Sequence, residues 1–178
     1  MKRYLGNRDP RFVAIHRGGD LDLATHRLLV AWAADCAEHV LSLFTEVHPS
    51  DTRPSDAIAI AREWVSGNAT VAQAREAASG AHAAARESSD SAAIAVARAV
   101  GHAVATAHMA DHELGAAAYV IWAVIKSVSN IDAIRVAESE CCWQQAQLSE
   151  SIRELVLSDQ LNRNSKFKNV FFASPTSF

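Results

Sequence analysis

Alanine constrains this chain more than any other residue type. It occurs 35 times in 178 residues and is densest between residues 69 and 118. Alanine is the best helix former, whereas glycine and proline are the worst, and the chain has only seven of one and four of the other. Small side chains also let helix backbones approach toward the lower end of the usual ~8–10 Å interaxial range. No β-rich stretch alternates apolar and polar residues over a strand's length. These features predict an all-α fold: one compact bundle of about seven alanine-rich helices.

Capping residues and breakers divide the chain. Residues 1–20 are polar and irregular, broken by Pro10 and by Gly18-Gly19. Residues 21–163 form the expected helical domain. Asp22 is a natural N-cap for a first helix from about Leu23 to Phe44. Its core stripe, Leu29, Ala33, Cys36, Val40, Leu43 and Phe44, follows the 3.6-residue period. Asp51 or Thr52, with Pro54 in the first turn, opens a second helix that stops at Gly67. Asn68 or Thr70 caps a third, to about Ser88, and Asp90 a fourth. A fifth, about Asp111 to Val128, is apolar nearly all round and belongs at the centre. Asn130 caps a sixth, to about Leu148. A short seventh, about Ser149 to Leu161, is amphipathic through Ile152, Leu155, Val156 and Leu161. Residues 164–178 form a tail holding four of the six phenylalanines: Phe167, Phe171, Phe172 and Phe178. Such a tail either packs across its own helices, the favoured reading, or docks on a second copy or a partner.

Composition excludes several functions. With 49% hydrophobic and 21% charged residues, the chain is not disordered. Its net charge of −3 offers no basic excess for phosphate contacts, which disfavours nucleic acid as a partner. The longest apolar run, the twelve residues Leu114 to Ile125, is too short to cross a bilayer. The N-terminus shows no apolar signal-peptide segment. Three cysteines, Cys36, Cys141 and Cys142, form no CxxC pair. They suggest neither a disulfide framework nor a cysteine zinc site, and a reducing cytoplasm is the expected compartment.

Two polar clusters could carry chemistry. His108, Asp111 and His112 lie three and four residues apart, on one helical face. They could converge on a divalent cation. Equally, they could form a hydrogen-bonded junction between the fourth and fifth helices, with Asp111 capping the fifth. On a straight helix His102 faces away from them. In the second cluster, Asp35 and His39 form an i,i+4 pair, with Trp32 one turn earlier. A carboxylate beside an imidazole suits catalysis, and suits a boundary ion pair equally well. His82 is expected at a helix crossing. Phosphate-binding, nucleophile-elbow and EF-hand signatures do not occur, and no cofactor is implied.

Two blocks carry a resemblance: Trp32-Ala-Ala-Asp35-Cys36-Ala-Glu38-His39 and Gly101-His102-Ala-Val-Ala-Thr106-Ala-His108. With Asp9-Pro10-Arg11-Phe12 and Ala81-His82-Ala-Ala-Ala-Arg86, they make residues 9 to 157 resemble the bacterial immunity protein 5-like family of polymorphic toxin systems. The resemblance implies a cytoplasmic helical protein that binds and neutralises a cognate toxin, without catalytic residues. Trp32, Asp35, His39, His82, His102, Thr106, His108 and His112 carry over as family-typical positions. The aromatic tail lies outside the resemblance.

Overall fold

The structure is a computed structural model that describes residues 3–129 and 131–171. Eight α-helices make up most of the described residues: α1 Leu23–His39, α2 Ser42–Thr45, α3 Arg53–Ser66, α4 Val71–Glu87, α5 Ser91–Ala105, α6 Glu113–Ser127, α7 Ala133–Ala146 and α8 Glu150–Arg163. The fold is all-α, and no strand occurs among the described residues. Helices α5 and α6 pack against each other at the centre, with α4, α1, α3 and α7 around them. Alanines make the closest layers: Ala93, Ala97, Ala99, Ala103, Ala116 and Ala117 are fully buried.

The helix starts follow from capping chemistry. The Asp22 carboxylate accepts from the Thr25 amide at 2.7 Å, and Asp90 accepts from Ala92 and Ala93. Thr70, not Asn68, caps α4 through a capping box with Gln73. Gly67 ends α3 at φ 86°, a conformation that only glycine adopts without cost.

Three boundaries differ from expectation. The first helix stops at His39, because Val40 leaves helical dihedrals before α2 begins. Val40 and Phe44 both remain in the core. The fifth helix opens with a 3-10 turn, Ala110–His112, and Asp111 does not cap α6. Leu161 is 76% exposed, whereas Ile152 and Val156 are buried. Nine residues rotate a helix by about 180° from Ile152, so Leu161 sits on the opposite side. The proposed cap Asn130 lies outside the described residues, and α7 starts after Asp132.

Residues 3–20 are irregular but anchored. They form 3-10 turns at Pro10–Phe12 and Ile15–Arg17, with a parallel bridge between Ala14 and Leu21. Phe12, Val13 and Leu21 are buried. Arg163, at the end of α8, ties this segment to the body. It pairs with Asp159 and with the fully buried Glu113, and its guanidinium lies over the Phe12 and Phe167 rings. Beyond α8, Asn164 clamps Phe171 through two hydrogen bonds, and Val170 and Phe171 join the core. The described part of the tail therefore packs on its own chain. Phe172 and Phe178 lie outside the described residues.

Candidate functional site

The Gly101-to-His112 stretch builds a histidine column. His82 on α4, His102 on α5 and His112 before α6 follow one another with ring centroids 5.4 and 5.3 Å apart. His108 extends the series, 5.4 Å from His112. The expectation that His102 faces away from this group is overturned. Helix α5 ends at Ala105, and the chain turns back before α6, which brings His112 onto His102. Their Nδ1 atoms lie 3.3 Å apart, so one ring donates and the other accepts. His102 also stacks on Tyr119.

Two glycines make room for the column. A Cβ at Gly101 would lie 2.4 Å from the His82 ring, and one at Gly115 would lie 2.7 Å from His102 Nδ1. The helix-crossing role expected for His82 is therefore realised against Gly101. Burial pushes the imidazoles of His82, His102 and His112 down, that of His102 to about 4. Removing an imidazole from water disfavours its charged form.

Thr106, at the end of α5, is buried and donates to the His102 carbonyl. Its own carbonyl accepts from His26 Nε2 at 2.7 Å. Sequence reasoning did not single out His26. It also packs against the Trp64 ring, and burial lowers its pKa.

The metal reading grouped His108, Asp111 and His112. The two histidines are neighbours, but Asp111 turns to Arg8, whose Nε and Nη2 donate to its carboxylate at 2.9 and 2.8 Å. Among the described residues, no three His, Cys, Asp or Glu side chains gather as a metal-holding set.

The Trp32-to-His39 block faces α7 and α3. Trp32 is buried and donates to the Gln144 carbonyl at 2.9 Å. The expected Asp35–His39 pair does not form. Asp35 pairs with Arg62 on α3, which also binds Glu38. His39 instead stacks on Trp143 with centroids 3.7 Å apart, and its Nε2 lies 3.3 Å from the Glu140 carboxylate. Three and four residues separate Asp35, Glu38 and His39, but α1 is wedged between two helices, so each side takes its own share. Burial pushes the Glu140 carboxyl up, opposed by the Gln144 hydrogen bond and by His39.

A shallow groove beside this stack is lined by Val124, Val128, Val136 and Trp143. At the adjoining α6–α7 corner, Val128, Ile131 and Ile134 are 37%, 95% and 68% exposed. Sequence reasoning missed Glu140, Trp143 and this corner. The signal was present: isoleucines flanking a helix break cannot all reach a core.

Residues 19–151 match the family described as Imm-5 like putative immunity protein. The chain belongs to that family. Neither the curated proteins nor the solved structures gave a match. The region matched to the Imm-5 like family spans α1 to α7 and contains the whole histidine column and the α1–α7 face. Residues 8–17 precede it.

Proposed function

We propose that the protein is an immunity protein that binds a cognate toxin and neutralises it by occlusion, without turnover. Family membership supports the immunity role. One observation directs the reading to a surface: the His39–Trp143 stack beside the apolar groove of Val124, Val128 and Val136. Large exposed apolar groups in one place mark interaction sites. An aromatic anchor encircled by charge is the usual anatomy of a tight interface. Here Asp35 and Glu38 share the single guanidinium of Arg62, which leaves the rim acidic and suited to a basic toxin surface. A stable complex would cover about 1,600 Å² in total. No helix among the described residues is long and apolar enough to cross a membrane. The proposed place of action is the cytoplasm of the producing cell.

The test is protection. Cells expressing the toxin encoded beside this gene should survive when the chain is co-expressed. Survival should be lost with Val128→Asp, which alters an exposed position in that groove and leaves the core intact. Equal protection by the wild-type chain and by this variant would remove the surface from the proposal. Absence of any protection would remove the function.

A further inference from the structure

A cleft of about 490 Å³ lies between the N-terminal segment, the start of α1 and the turn before α6. It shares no lining residue with the groove beside Trp143. Its volume falls in the range of small-molecule sites, which combine apolar walls with a few placed polar groups. The walls here are Phe12, Leu21, Trp64 and Met109, and the rim is Ile15, Leu23 and Val71. Ile15, Leu23 and Val71 are 43%, 56% and 40% exposed. Three exposed apolar side chains gathered at one mouth suit an apolar occupant.

The titratable side chains of the cleft are nearly all basic: Arg8, His16, Arg17, His26 and His108. The one acid, Asp22, is committed to capping α1 through the Thr25 amide. Arg8 spends two of its nitrogens on Asp111 and the Phe12 carbonyl. Its Nη1 makes no hydrogen bond among the described residues, and Arg17 has no acidic partner among them. Arg8 and Arg17 both add to the positive field that lowers the His108 pKa, after burial. The His108 Nδ1 is buried and has no hydrogen-bond partner among the described residues.

We infer that this cleft binds a small apolar molecule carrying one carboxylate, with its body on Trp64 and Phe12 and its charge toward Arg17. A single anionic group suits one unpaired guanidinium at the mouth. A bare phosphate would leave the apolar walls unfilled, and its second charge would lack partners. Arg8, Phe12, Ala14, Ile15, His16 and Arg17, six of the sixteen residues that line the cleft, precede the region matched to the family.

The probes are 3-phenylpropionate, its neutral counterpart 3-phenylpropanol and inorganic phosphate. Each is titrated into the full chain while the methyl resonances of Ile15, Leu23 and Val71 are followed. The acid should shift these methyls and bind about tenfold more tightly than the alcohol, the worth of one charge-assisted contact. Arg17→Gln, at an exposed position, should bring the acid down to the affinity of the alcohol. Phosphate should leave the methyls unmoved. The inference is overturned if the acid shifts none of them at millimolar concentration, or if alcohol or phosphate binds as tightly as the acid. It is also overturned if Arg17→Gln changes nothing.

Discussion

Gly101 shows how a residue without a side chain can decide a site. Helix interiors disfavour glycine by roughly 1 kcal/mol relative to alanine, so in an alanine-rich helix it needs a reason. The reason is the His82 ring, which occupies the space a Cβ would take. Gly101→Ala should therefore destabilise the protein by about 1–3 kcal/mol, as overpacking does, despite the gain in helix propensity. In a His82→Ala background the same change should become neutral or stabilising. Thermal unfolding of the four proteins of this cycle measures the coupling. Additive effects would mean that the two residues do not meet. The glycine was visible in the sequence, and so were the histidines. Their pairing was not, because it depends on how α4 crosses α5.

Among the elements, α4, α5 and the turn into α6 are joined by half-buried imidazoles, and this joint is expected to be sensitive to acid. His26, His82, His102, His108 and His112 all have pKa values lowered chiefly by burial. A lowered folded-state value means that the unfolded chain binds more protons below about pH 6.5. Stability should fall as pH drops from about 6.5 toward about 4. Burial raises the carboxyls of Glu113 and Glu140, which works in the opposite direction. Burial pushes the His102 imidazole furthest among these histidines, from 6.5 to about 4. Its share of the loss reaches about 3 kcal/mol only once the pH has fallen to about 4, where the folded imidazole also takes its proton. His102→Gln should flatten the slope of stability against pH in this window, whatever it does to stability at pH 8. An unchanged slope would show that His102 does not titrate between the two states.

The elements were also the most legible level of the sequence. Alanine content, Asp22, Thr70, Asp90 and Gly67 located the helices, because capping and helix propensity act over a few residues. What failed needed long-range information. Asp111 sits at a plausible cap position, yet Arg8, 103 residues away in sequence, takes it. Asp35 and His39 share a helical face by spacing, yet Arg62 and Trp143 draw them to separate neighbours. The first helix, expected to run to about Phe44, stops at His39, a local error with no consequence for the core.

At the scale of the whole molecule, the alanine-packed body holds two unlike surfaces: a basic, apolar cleft at the N-terminal end and an acidic, aromatic face where α1 meets α7. The second is the surface proposed for a toxin. A calorimetric titration of the chain with the purified toxin domain encoded beside it tests this account most directly. Tight one-to-one binding is expected, weakened about thirtyfold or more by Trp143→Ala, the loss of a central aromatic anchor. Arg17→Gln, in the cleft, should leave that affinity unchanged. No heat of binding to the toxin, or equal affinity for the Trp143→Ala chain, would contradict it.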